Sequence, residues 1–151
     1  MIQGMAFKIL SEVEVNHWAS NQHEFNGVAS LKRIFGLQRQ YFNAKFIFMS
    51  DAGIESIEKG SLTWYDAREN HPYRTEYRLY YDAFLPLQRA SAGDALLITV
   101  DDAQWVNVCI IKQGTQLVNF LVNQIKNDIG SNYSILTDDR VIDSIQNFLA
   151  L

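Results

Sequence analysis

The run ALLITVDDAQWVNVCIIK, Ala95 to Lys112, decides the fold class of this 151-residue chain. Two apolar segments, Ala95–Val100 and Gln104–Lys112, flank Asp101-Asp102, and that spacing is the spacing of an antiparallel hairpin. Gly93-Asp94 marks a turn before it and Gly114 a break after it. Working outward, Tyr41–Met49 is aromatic and β-branched, with Phe42, Phe46 and Phe48 on one parity. Leu62–Tyr65 and Tyr77–Phe84 are also strand-like, with turn signals at Asp51-Ala-Gly53 and Lys59-Gly60. Met5–Asn16 alternates through Phe7, Ile9, Val13 and Val15, which predicts a first strand.

Helical spacing occurs at Val28–Phe35, which Gly36 can cap, and at Thr115–Asn127, where Leu117, Leu121, Val122 and Ile125 share a face. It returns at the end, where Thr137-Asp-Asp139 can cap a helix through Val141, Ile142, Ile145, Phe148 and Leu149. About seven short strands with two or three helices predict a mainly β chain, an antiparallel sheet or barrel with helical plugs.

The length suits one domain, and 48% hydrophobic residues supply a sizeable core. No apolar run is long enough for a transmembrane helix, and the N-terminus lacks the basic-then-apolar pattern of a secretory signal. A single cysteine, Cys109, excludes an internal disulfide and a cysteine-based zinc site, and suits a reducing cytoplasm.

The net charge of −4 argues against nucleic acid when taken whole. It is unevenly distributed: residues 1–29 carry −2, residues 30–90 carry +2 and residues 91–151 carry −4. Nine of the thirteen positive charges lie in the middle segment, so the partner has to be judged locally.

Enzyme signatures are missing. A metal-dependent nuclease core needs an acid two residues before a lysine, to put both on one face of a strand, and none of the six lysines has one. There is no His-x-Lys motif, no phosphate-cradling glycine loop and no G-x-S-x-G elbow. Cys109 lies between Val108 and Ile110, which fits an inert core thiol better than a nucleophile. Asp101-Asp102 could bind a cation, but as a hairpin tip it is better explained as a solvated turn.

Two polar loops carry what chemistry there is. The segment RENHPYRTEYR, Arg68 to Arg78, interleaves Arg68, Arg74 and Arg78 with Asn70, His71, Thr75 and Glu76. Arginine reads guanine in bidentate fashion, asparagine reads adenine and glutamate accepts from cytosine. Arg74, Glu76 and Arg78 are two apart, so on an extended arm they project to one side as an Arg–Glu–Arg ladder. The plainer alternative is a solvated strand with charge pairs. The other loop, His17–Gly27, brings His23, Glu24 and Asn26 together with Trp18. Lys32, Arg33, Arg39 and Lys45 around the short helix could bind phosphate or simply form a wet face. Two further readings stay open: a protein-interaction module in which the ladder is structural, and a small hydrolase using His71 or His23 with a nearby carboxylate.

At these loops the chain resembles the N-terminal effector-binding domain of EcoRII-type restriction endonucleases, within the DNA-binding pseudobarrel superfamily. The resemblance is carried by Lys8-x-Leu10-Ser11, by the loop holding His23, by Tyr65-x-x-Arg68 and by Arg74-Thr-Glu76-Tyr-Arg78. It extends from about Lys8 to Lys126, with Tyr77 standing where the family carries a basic residue. It implies an open seven-stranded pseudobarrel over residues 1–130, and a helical extension or the start of a linker over 131–151. Two arms would grip the major groove of double-stranded DNA and read a site of the 5′-CCWGG type. His23, Arg74, Glu76 and Arg78 would then contact bases, and Lys8 and Arg68 would help hold the backbone. By their position in the loops, Glu24 and Asn26 are further base candidates and Asn70 and Thr75 further backbone candidates, with Lys32 and Arg33 of the short helix as added phosphate contacts. No catalytic residue, metal or cofactor is expected on this chain. The resemblance places Mg2+ and the chemistry on a covalently linked nuclease domain of a bacterial, cytoplasmic restriction endonuclease, with the isolated domain a monomer.

Overall fold

A computed structural model of the chain describes residues 2–19, 24–25, 28–82, 88–125 and 133–149. The strands are β1 (Ile2–Ile9), β2 (Glu24–Phe25), β3 (Gln40–Ser50), β4 (Gly53–Asp66), β5 (Tyr77–Tyr81), β6 (Ala95–Asp101), β7 (Trp105–Ile111) and β8 (Ser134–Leu136). The helices are α1 (Glu12–Ala19), α2 (Lys32–Phe35, entered through a 3-10 turn at Ala29–Leu31), α3 (Gln116–Ile125) and α4 (Asp139–Leu149).

One sheet runs β2-β5-β4-β3-β7-β6-β1-β8. Every neighbouring pair is antiparallel except β3 with β7. The result is a mainly β, open, curled half-barrel with short helices. It has eight strands, not seven. The edges, β2 and β8, have no counterpart among the expected strands, because strands of two and three residues are too short to show a two-residue period. Short edges also limit unwanted pairing with other chains.

The Ala95–Lys112 hairpin forms as its spacing predicts, with Ala95 opposite Ile111 and Val100 opposite Val106. Its runs are apolar on both parities because both faces are covered. Leu96, Ile98, Val100, Val106, Val108 and Ile110 point into the concave core, which the 28–35 segment fills with Val28, Leu31 and Phe35. Ala95, Leu97, Cys109 and Ile111 point to a second core under α3 and α4, which contribute Leu117, Leu121, Ile142 and Ile145. Burial pushes the Cys109 thiol up to about 12, so it stays protonated at physiological pH, as an inert core group does.

Two local expectations change. Met5–Asn16 is not one strand: the chain leaves β1 after Ile9 and enters α1. The cause is a capping box, in which the Glu14 amide donates to Ser11 Oγ at 3.3 Å and the Ser11 amide donates to Glu14 Oε1 at 3.1 Å. Lys59-Gly60 is no turn but lies inside β4, held opposite Lys45 and Ala44 of β3. Within residues 133–149, β8 pairs with β1 and α4 packs on the second core. The Asp138 carboxylate accepts from the Arg140 amide at 2.9 Å and starts that helix.

Candidate nucleic-acid interface

The connection from β4 to β5 is built around Asp66. Its Oδ1 accepts the Arg68 amide at 2.9 Å and the Glu76 amide at 2.8 Å, which pins the two ends of the loop together. The Ala67 amide adds a bond to the Glu76 carbonyl, and the His71 amide one to Arg68. At the tip, His71 Nδ1 accepts both the Tyr73 and the Arg74 amides, at 3.1 and 3.0 Å. These contacts fix a ten-residue protrusion, 67–76, in one shape. Sequence reasoning passed over Asp66, although an aspartate opening a polar loop and accepting from the amide two residues on is a known turn signal.

The amides of Glu76 and then Arg68 hold the Asp66 carboxyl below its ordinary value of 3.8, against some opposing burial. A depressed carboxyl stabilises the folded loop above its unfolded pKa and loses that effect as pH falls through the folded value. The protrusion is therefore expected to loosen only below about pH 3.8, and earlier in Asp66→Ala, where its amide protons exchange faster at neutral pH. Unchanged exchange at Arg68 and Glu76 in that variant would contradict the pinning role.

An ion-pair chain lies at the base of the protrusion. Arg68 Nε reaches Glu76 at 3.2 Å, Arg78 reaches Glu76 at 3.4 Å and Glu24 at 3.2 Å, and the Tyr65 hydroxyl donates to Glu24 at 2.8 Å. The expected Arg–Glu–Arg ladder exists, but its members are Arg68, Glu76, Arg78 and Glu24. Burial works against the charge on Arg78, and Glu24 with Glu76 outweighs it to hold the guanidinium's pKa up. Burial, then Glu24, raises the Tyr65 phenol, which keeps it a donor.

Arg74 is outside this chain of pairs. It is exposed, between exposed Tyr73 and Thr75, and has no ion pair among the described residues. Asn70 and His71 are exposed beside it. With Arg39, Tyr65, Asp66 and Arg68 they line an open cleft of about 400 Å3 on the flank of the protrusion. Arg39 lies 5.1 Å over the Tyr65 ring and 3.8 Å from Glu69.

The short helix sits against the same hairpin. Trp64 Nε1 donates to the Gly36 carbonyl at 3.0 Å, and its ring stacks on Tyr77 at 4.9 Å. The Tyr77 hydroxyl donates to the Leu37 carbonyl at 2.8 Å, and Lys32 lies 4.9 Å over the Tyr77 ring. Tyr77 is thus a structural link between α2 and β5. Arg33 is exposed on the same helix. Lys32, Arg33, Arg39, Arg68, Arg74 and Arg78 therefore come from three chain segments to one end of the sheet.

Three expected site residues are elsewhere or undescribed. Lys8 is only 4% exposed, ion-paired to Glu14 at 2.6 Å and 5.1 Å from the centre of the Tyr133 ring. Its ammonium ties β1 to α1 inside the protein, so it is not available to a phosphate. Lys8→Met is expected to cost about 1–2 kcal/mol of stability and to leave duplex affinity unchanged. Thermal melts and a duplex titration check the two halves. His23 and Asn26 lie outside the described residues. For the hydrolase reading, His71 offers no activated base, since its Nδ1 is occupied by two amides.

No protein-family model matches this chain, and no curated protein matches it. At the level of class, the curled half-barrel with a helix-plugged core is a fold found in solved structures. One such structure is the N-terminal domain of Helicobacter pylori LlaJI.R1, similar with a TM-score of 0.60 at 10% identity. The match covers 91% of this chain and 100% of that one. At that identity the likeness is one of fold.

Proposed function

We propose that this chain is a double-stranded DNA-binding domain that reads base edges in the major groove with the β4–β5 protrusion. The single observation that carries the reading is the protrusion itself. It is pre-formed by Asp66 and His71, and it holds Arg74 exposed and, among the described residues, without a carboxylate partner, while the neighbouring arginines are ion-paired. Ordering costs are met before binding, which favours specific recognition.

Arg74 is the base-reading fork, with Asn70 and Thr75 beside it. Arg68, Glu76, Arg78 and Glu24 frame the protrusion, and Arg78 and Glu76 reach bases where DNA displaces their pairing. Lys32, Arg33 and Arg39 take phosphates on the flank, which sets register without sequence preference. His23 and Asn26 belong to the second arm of this proposal. The fold likeness to a domain from a restriction system supports the same reading, as does the Arg68–Arg78 pattern. We place the domain beside a linked nuclease in such a system, with a site of the 5′-CCWGG type as the first to test.

Anisotropy titration of labelled duplexes tests this. The expected result is tighter binding to a CCWGG duplex than to a scrambled duplex of equal length. Binding of neither duplex at low salt removes the proposal. Equal binding to both removes that site.

A further inference from the structure

We infer that Tyr73 is a second reader on the protrusion, a ring that contacts a pyrimidine C5-methyl group in the base pair next to the one Arg74 reads. The inference rests on the duplex reading above, and it names the chemistry that the tip of the protrusion selects.

Tyr73 is 92% exposed, more than any other large hydrophobic side chain among the described residues. A ring held so far into water adds little to folding, because its apolar area stays wet. Its position is nevertheless fixed. The Tyr73 amide donates to His71 Nδ1 at 3.1 Å, and the next amide, that of Arg74, donates to the same atom at 3.0 Å. The His71 ring stands edge-on to the Tyr73 ring with 6.4 Å between centres, the one ring contact Tyr73 makes among the described residues. Pro72 between them restricts the backbone further. The neighbouring Arg74 has no ion pair among the described residues. A fixed, exposed aromatic beside an available guanidinium points outward, to whatever the protrusion meets.

The major groove limits what an apolar ring can meet there. Base faces are stacked and hidden, and the apolar group that the base edges present is the C5-methyl of thymine. 5-Methylcytosine carries the same methyl at the same ring position, whereas cytosine and uracil carry none. Consecutive Cα atoms are about 3.8 Å apart and stacked base pairs about 3.4 Å, so residues 73 and 74 suit neighbouring base pairs. Arg74 on a guanine thus brings Tyr73 to the adjoining pair. A ring wedged between base pairs is the other use of such a side chain, and it carries an unstacking cost that a methyl contact avoids. In a CCWGG site the central pair always holds one thymine, with a guanine-bearing pair on each side.

The test is anisotropy titration of the full chain on the CCWGG duplex or, where another is preferred, on the duplex enriched from a random library. Each duplex is made with thymine or uracil, and separately with cytosine or 5-methylcytosine. The methyl group is expected to tighten binding about fourfold, the worth of one buried methyl. A loss with uracil identifies thymine as its source, and a gain with 5-methylcytosine identifies the methylated base. Tyr73→Ala should abolish the methyl effect and Tyr73→Phe should keep it. Arg74→Ala should keep it too, while relaxing the guanine. These substitutions leave the backbone amides with their bonds to His71, and thermal melts verify that each variant is folded. Equal affinity with and without the methyl in both comparisons overturns the inference, as does a methyl effect that survives Tyr73→Ala. A rise in 2-aminopurine fluorescence at that step, dependent on Tyr73, marks an inserted wedge and overturns it as well. Those results leave the duplex proposal standing, whereas binding of no duplex at low salt removes both.

Discussion

Trp64→Ala is expected to destabilise the protein by about 3–5 kcal/mol, the cost of emptying a large, fully buried aromatic site. Trp64 is entirely buried, 5.2 Å from the Phe35 ring and stacked on Tyr77, and its indole nitrogen holds the Gly36 carbonyl. Losing it opens the concave core where α2 meets the β4–β5 hairpin. The flank bearing Lys32 and Arg33 should therefore loosen together with Tyr77. Trp64→Phe keeps a six-membered ring but loses the pyrrole ring with its N–H, so its cost should be smaller, about 1–3 kcal/mol. Urea unfolding of both variants checks the pair, and a similar small cost for each would contradict the placement of this side chain.

Arg74→Ala should have the largest effect on binding. An arginine fork on guanine discriminates against a wrong base by about 1–3 kcal/mol, so preference should fall at one base pair while the fold stays intact. Asp66 and His71 use the loop's amides and not the Arg74 side chain, so the protrusion survives the change. Arg33→Ala is the contrast: an exposed cation on the flank, its loss should weaken all duplexes alike and reduce the salt slope by about 0.9. Melting curves together with titrations on matched and single-substituted duplexes separate the two. A uniform loss from Arg74→Ala would make that residue a phosphate contact.

Much of the sheet was legible because the strands that matter are long and strongly patterned. β3 and the β6–β7 hairpin come directly from their apolar runs. The errors came where a local signal and a periodicity competed. Phe7, Ile9, Val13 and Val15 alternate through two different elements, and the Ser11-x-x-Glu14 capping box, which is visible in the sequence, wins by satisfying amides at the start of α1. Lys59-Gly60 has turn chemistry but is held in β4 by eleven register partners along β3. β8 carried too short a pattern to be seen, and its place is set by β1.

The site was legible in composition and not in wiring. The Arg68–Arg78 segment stands out for its arginines, and the protrusion forms there. Which arginine is available depends on Glu24, which is 54 residues from Arg78 in sequence and reaches it only because β2 pairs with β5. That long-range pairing leaves Arg74 exposed and turns Arg78 into part of the frame. Lys8 shows the reverse: a lysine on a first strand looks like a phosphate contact until Glu14 and Tyr133 close over it.

The central claim is that this chain reads duplex sequence directly through the β4–β5 protrusion. Selection of a random duplex library by the purified chain, run in parallel with Arg74→Ala, tests it most directly. The expected result is one short enriched motif for the parent chain, and the same motif with a single position relaxed for the variant. Enrichment of no motif, or an identical motif from both proteins, would contradict it.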